Sequence, residues 1–323
     1  LLSEFLPMND LILIALGGNA LILPGERGYV EEQFRHTDAC MKPIAGLIAR
    51  GDNVILTHGN GPIVGNILLR NECARDLIPP MPLYICVADS QGGIGAMMSE
   101  SLNNHLGKLN VKKTVLTVIT HVVVDPDDPA FRDPSKPIGP YYSEEDAKRY
   151  KDIRGWKMRE IPGRGWRRLV PSPEPKRIVE IGAVKVLTEK DVIPIASGGG
   201  GIPVIEQDGG LRGVDAVIDK DLSASLLAKG LSVEKLVILT DVDGVYLNYG
   251  REAQRRLDKL NISEAKRYLS EGHFPPGDMG PKIKAAISFL EGGGKEVIIS
   301  LPEDLIKAME GKKGTRITLN EED

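Results

Sequence analysis

The chain has 323 residues, 41% hydrophobic and 27% charged, the proportions of an ordinary soluble globular protein with material for two lobes. A formal net charge of −4 and a pI of about 5.9 leave no basic surface for nucleic acid or acidic lipid. No apolar run approaches the roughly 20 residues of a membrane span.

The three cysteines, Cys40, Cys73 and Cys86, are widely spaced and odd in number. They suit neither a disulfide framework nor a zinc site, each reads as a small core residue, and a reducing, cytoplasmic setting is expected. Leu1–Met8 is apolar without a basic flank and reads as a tail or an upstream start, with Met8 a candidate initiator.

The first element is LILIALGGNA, Leu11–Ala20. Its apolar, partly β-branched run reads as a buried strand that turns on Gly17–Gly18 into Asn19, where a helix is expected to begin. A glycine turn between strand and helix lets backbone N–H groups approach an anion, and the helix N-terminus adds partial positive charge. Neither GxGxxG nor GxxxxGK[ST] matches, which argues against a Rossmann dehydrogenase and a P-loop.

Further strands are expected over Asn53–Thr57, Thr114–Thr120, Asp191–Ala196, Lys235–Thr240 and Glu296–Ser300. Helices are expected near Glu31–Arg50, Val64–Asp76, Gln91–Gly107, Lys176–Lys190, Lys220–Lys229 and Pro281–Glu291. Such alternation implies an α/β protein with a largely parallel sheet covered on both faces, and ligands beyond the carboxyl ends of the strands.

The loops at those ends are rich in glycine. His58-Gly59-Asn60-Gly61-Pro62, Ser197-Gly198-Gly199-Gly200-Gly201 and Asp241-Val242-Asp243-Gly244-Val245 join the Gly17–Gly18 turn. Glycine costs conformational entropy, so four such turns at equivalent ends point to a polyanion cradle across the top of the sheet. Asp125–Pro173 breaks the rhythm: it is rich in Pro, Gly and Arg, carries both Trp residues and shows little strand–helix alternation. It reads as an insertion, either a lid over the site or a surface flap.

Phosphoryl transfer needs cations and backbone N–H groups around the equatorial oxygens, with attacking and leaving oxygens in line. Three lysines have rigid settings: Lys220 between Asp219 and Asp221, Lys282 in the first turn of a helix after Met279-Gly280-Pro281, and Lys136 between Ser135 and Pro137 in the insertion. Asp221 is expected to cap the helix that follows it and to hold Lys220 and Lys282 apart and aimed.

ALGGNA, HGNGP, DPAFRDPSKPIGPYY, GRGWRRLVPSP, SGGGG, VDAVIDKDLSASLLA, LTDVDGVY, GHFPPGDMGPK and GTRI together resemble carbamate kinase, of the amino acid kinase superfamily, from about Leu11 to Ile317. The resemblance implies an open αβα sandwich in two lobes with a protruding subdomain, and a homodimer. It implies reversible transfer between ATP and carbamate, giving ADP and carbamoyl phosphate, with Mg²⁺ carried by the nucleotide phosphates. On that likeness, residues 1–190 form the carbamate lobe, including the protruding subdomain at 121–173, and 191–323 form the nucleotide lobe. Lys136, Lys220 and Lys282 match the active-site lysines, and Asp221 the organising aspartate. Gly17, Gly18 and Asn19 match the first phosphate loop, and Gly59, Asn60 and Gly61 the loop near the acceptor. Gly198, Gly199, Asp241, Val242, Tyr246, Met279 and Gly280 fall on the nucleotide side.

Relatives acting on larger carboxylates carry a lysine just before the first glycine pair, where this chain has Ile14-Ala15-Leu16. The cation is expected to come from Lys220, aided by Lys136. Asp89, Gly93 and Ala96 replace an uncharged residue and two aromatic ones of the family pattern, and Asp278 replaces a serine. These departures keep two alternatives open: a related kinase for another small acid, and a nucleotide sensor without turnover. His58 reads as a positioning or turn residue, since carbamate already carries a negative oxygen and requires no general base.

Overall fold

The computed structural model describes residues 11–18, 22–23, 26–274, 277 and 279–320. The helix start expected at Asn19, the segment Leu1–Met8 and Asp278 lie outside the described residues.

In chain order, β1 (Leu11–Leu16) is followed by α1 (Val30–Ala49), β2 (Asn53–His58), α2 (Gly61–Ala74) and α3 (Leu83–Lys108). β3 (Thr114–Thr117) and β4 (His121–Val124) precede an insertion holding β5 (Lys136–Tyr142), α4 (Glu144–Arg154), β6 (Lys157–Ile161) and β7 (Gly165–Val170). The chain returns through β8 (Pro175–Ile178), α5 (Ile181–Thr188), β9 (Val192–Ile195), β10 (Ile202–Gln207) and β11 (Gly210–Gly213). α6 (Lys220–Gly230) then leads to β12 (Lys235–Leu239), β13 (Val245–Leu247), β14 (Arg255–Leu257), β15 (Lys259–Asn261) and α7 (Ile262–Ser270). α8 (Met279–Glu291), β16 (Glu296–Ser300), α9 (Leu305–Met309) and β17 (Thr315–Thr318) complete the described chain.

Eight strands form the central sheet in the order β15-β17-β16-β12-β1-β2-β9-β3. Every pair is parallel except β16–β17. β1 lies in the middle and explains why the sequence reads as an unbroken apolar run. Leu13 and Ala15 join the core on one face, with residues of α6 and α8; Ile12, Ile14 and Leu16 join the core on the other, with α1 and α3. Each fully buried Leu or Ile contributes roughly 1.5–3 kcal/mol, so a polar residue at any of these positions would be strongly disfavoured.

The insertion is more regular than its composition suggests. β5, β7 and β6 pair antiparallel, and α4 starts at the Ser143 cap and ends on Gly155 in the left-handed region, at φ 64°. Tyr150 stacks on Trp156 with ring centroids 4.5 Å apart, and the Arg168 guanidinium lies 4.1 Å over the same indole. These aromatic and cation–π contacts flank a small apolar core of Ile138, Ala147, Met158, Leu169 and Val170. The subdomain docks on α2 through a glycine pair: a Cβ on Gly65 would stand 1.9 Å from Gly139 Cα, and Gly139 itself has φ +74°.

Two other expectations change. The helix expected over 176–190 divides into β8 and α5, because β8 pairs antiparallel with β4 (Val122 opposite Ile178). β9 lies between β2 and β3, so the 190/191 boundary does not coincide with a division of the sheet. No helix among the described residues is long and apolar enough to cross a membrane.

Candidate active site

Parallel pairing brings the carboxyl ends of four strands to one edge: Leu16 is opposite both His58 and Leu239, and Leu239 is opposite Ser300. The ladder continues into the loops. Gly17 N–H donates to Leu239 O at 2.9 Å, Gly59 N–H to Leu16 O at 2.9 Å and Thr240 N–H to Ser300 O at 2.9 Å. The first two glycine loops touch, since a Cβ on Gly59 would lie 2.8 Å from Gly18 N and 3.3 Å from Lys220 Cδ. Only glycine lets the Lys220 stem and the Gly18 amide come this close.

α6 begins at the same edge. Its N-cap is Asp219, whose side chain accepts the Asp221 N–H at 2.9 Å, so the capping expected of Asp221 falls two residues earlier. That frees the Asp221 carboxylate, which is buried. Its Oδ1 accepts Lys220 Nζ at 2.7 Å, and its Oδ2 lies 3.7 Å from Lys282 Nζ, in the first turn of α8. Burial pushes the Lys220 ammonium below its usual range, with Asp221 opposing that shift and Lys282 adding to it. Lys136 reaches the same place from β5 and donates to Asp219 Oδ2 at 2.5 Å. The structure therefore brings Lys136, Lys220, Asp221 and Lys282 together, along with Asp219, which the sequence reading had treated only as a flank of Lys220.

A cavity of about 420 Å³ opens here, lined by Gly17, Gly18, Lys220, Asp241 and Lys282 among others. Tyr246 donates its hydroxyl to Asp243 at 2.7 Å, which orders the loop after β12, and Val242 packs on the core behind it. Met279 and Gly280 are buried in the first turn of α8. Asn19 lies outside the described residues.

A Cβ on Gly198 would lie 2.3 Å from His58 Nε2, and one on Gly199 would lie 2.1 Å from Asn60 Nδ2. Because β9 neighbours β2, these glycines pack on the His58–Gly61 loop. Asn60 in turn donates to Ser90 Oγ at 2.8 Å, which ties this loop to α3, while Gly61 opens α2. His58 donates from Nδ1 to Gly59 O at 3.0 Å, and its buried Nε2 has no hydrogen-bond partner among the described residues. Burial, opposed by the hydrogen bond to the Gly59 carbonyl and helped to a lesser degree by the Lys220 charge, pushes this imidazole down to about 4.

Asp89, Gly93 and Ala96 lie on the outer, exposed face of α3, and a Cβ on Gly93 would meet nothing within 4 Å. These departures point away from the lysine cluster. Among the described residues there is no group of three or more His, Cys, Asp or Glu able to hold a metal ion.

An amino acid kinase family model matches residues 10–300. Carbamate kinase of Pyrococcus horikoshii is 48% identical over 313 residues, covering 96% of this chain and 100% of that protein. Solved structures of carbamate kinase from Giardia lamblia, bound to citric acid and to AMP-PNP, superpose with TM-scores of 0.91 and 0.89. Both are 43% identical and cover 96% of this chain and 98% of theirs. The chain is a phosphotransferase that belongs to the amino acid kinase family and, within it, to the carbamate kinases.

Proposed function

We propose that this protein transfers a phosphoryl group reversibly between ATP and carbamate, giving ADP and carbamoyl phosphate, by direct in-line displacement. The observation that carries the reading is the pair of buried lysines on one carboxylate, at the mouth of a glycine-lined cavity. Held by Asp221, Lys220 and Lys282 stand apart, placed to meet the equatorial oxygens of the moving group and the leaving ADP oxygen. Lys136 adds a third cation from the insertion. Gly17 and Gly18 supply backbone room for phosphate, and the Gly59–Gly61 loop faces the acceptor with Gly198 and Gly199 behind it.

The nucleotide would extend past Asp241, Val242 and Tyr246 toward Met279 and Gly280, so the N-terminal part of the chain serves the acceptor and the C-terminal part the nucleotide. Carbamate brings its own negative oxygen, which makes a general base unnecessary and leaves His58 to shape its loop. Mg²⁺, held mainly by nucleotide phosphates and water, would offset charge on the phosphate oxygens.

A homodimer through the sheet edge fits the same picture. β3 ends the sheet with one side unpaired, and Leu116 and Ile119 beside it are 43% and 44% exposed. Sedimentation of the purified protein at micromolar concentration would read a dimer; a monomer at every concentration would sink this part.

The test of the reaction is ATP formation from ADP, Mg²⁺ and carbamoyl phosphate, with Lys220→Ala as control. Production abolished in the control establishes the reaction and one catalytic residue. ADP binding without ATP formation rejects carbamoyl phosphate as donor.

A further inference from the structure

We propose that Asp219 is a positioning residue for this phosphoryl transfer, fixing where the Lys136 ammonium stands over the site. The inference rests on the kinase reading above. Asp219 divides its carboxylate between two tasks: Oδ1 accepts the Asp221 N–H at 2.9 Å and Oδ2 accepts Lys136 Nζ at 2.5 Å. The first bond caps the helix that carries Lys220 and Asp221. The second ties that helix to the insertion, 83 residues away in sequence. With one oxygen pinned to backbone, the carboxylate cannot rotate freely, so the other oxygen holds a fixed place.

The pair is sheltered, with the Asp219 side chain 13% exposed and that of Lys136 30% exposed, so water screens it only in part. Burial alone would raise the Asp219 carboxyl. The charge and hydrogen bond of Lys136, the Asp221 amide and the Lys220 charge outweigh it and hold the group down at about 2. Asp219 is therefore an anion at any working pH.

On the other side, the backbone at Lys136 is stiff. Lys136 is paired with Val170, and Arg167 donates from Nε to Ile138 O and from its terminal nitrogen to Pro137 O, both at 3.2 Å. These bonds lie within the insertion, so the Asp219 tie both sets the lysine side chain and anchors this end of β5 to α6. An ammonium has three donors, so Lys136 can keep this tie and still meet an anionic substrate oxygen.

Asparagine separates the two tasks, since it caps a helix as well as aspartate does but carries no charge. ATP formation and amide hydrogen exchange across residues 136–142 are measured for wild type, Asp219→Asn, Lys136→Met and the double variant. In Asp219→Asn, kcat/KM for carbamoyl phosphate falls by roughly tenfold to a hundredfold, while the circular dichroism spectrum stays native. Exchange in 136–142 quickens, and Asp219→Asn adds nothing to Lys136→Met in either readout. Wild-type behaviour of Asp219→Asn, or two losses that multiply in the double variant, overturns the proposal. If the wild type forms no ATP, the carbamate reading fails and exchange alone decides Asp219: quickened exchange that Lys136→Met reproduces supports the tie, and unchanged exchange rejects it.

Discussion

Lys220 and Lys282 share one buried carboxylate, meeting opposite oxygens of Asp221 at 2.7 and 3.7 Å. Two like charges are thus held close enough to act on one phosphoryl group without collapsing onto a single position. Asp221→Asn leaves both ammonium groups buried without that counter-charge. Removing one partner of a buried ion pair costs roughly 3–5 kcal/mol, so this variant should lose stability and activity together. Urea unfolding followed by fluorescence and the ATP assay check both; a variant as stable as wild type would contradict the shared-charge account.

Lys220→Ala differs, because Asp221 keeps Lys282 as its partner. The variant should fold, give a native circular dichroism spectrum and transfer phosphate about 10²–10³-fold more slowly, the loss typical of one donor aimed at developing charge. Retention of most activity would remove Lys220 from the catalytic set.

His58 makes a prediction for acid stability. Its imidazole is held down at about 4 in the folded state, against an ordinary value of 6.5. Between those values the unfolded chain takes up a proton that the folded chain refuses. Stability should therefore fall as pH drops from about 6.5 to 4, by at most roughly 3 kcal/mol from this group, and no further below. Replacing His58 by Asn should flatten that part of the pH–stability curve measured by urea titration. An unchanged slope would show that the imidazole is not the group responsible.

Two helical glycines should respond to alanine with opposite signs. At Gly93 the added Cβ meets nothing, so Gly93→Ala should stabilise by about 0.5–1 kcal/mol through helix propensity. At Gly65 the added Cβ would stand 1.9 Å from Gly139 Cα, forcing β5 away from α2 at a cost of roughly 1–3 kcal/mol. Because Lys136 rides on β5, Gly65→Ala should also lower kcat/KM, whereas Gly93→Ala should not. Thermal melts and the ATP assay on the two variants test the contrast.

The sheet and its loops were legible because parallel strands covered on both faces read as short apolar runs, and glycine at their ends marks close approach. Lys136, Lys220, Asp221 and Lys282 were legible as residues in rigid settings, yet their convergence depends on long-range pairing that no local pattern contains. That Gly198 and Gly199 pack beside the His58–Gly61 loop is not legible locally, because β9 inserts beside β2 against chain order. The insertion reads as irregular because its few buried apolar residues are scattered over short elements and much of its packing comes from Tyr150, Trp156 and Arg168, which carry no apolar period. Asp219 was passed over because a capping aspartate and a lysine-orienting one have the same sequence signature, and its partner lies in a distant segment.

The place of β1 has a consequence for turnover. This strand hydrogen-bonds β2 on one side and β12 on the other, so the Gly17–Gly18 turn, the His58–Gly61 loop and the loop after β12 grow from one uninterrupted ladder. Swinging the halves apart like jaws would tear a row of buried backbone bonds, each expensive to leave unmade. Admission of substrates and escape of products then fall to the parts attached outside that ladder: the insertion, resting on its glycine contact, and the loops around the cavity. Lys220 on α6 and Lys282 on α8 can stay still while the door moves.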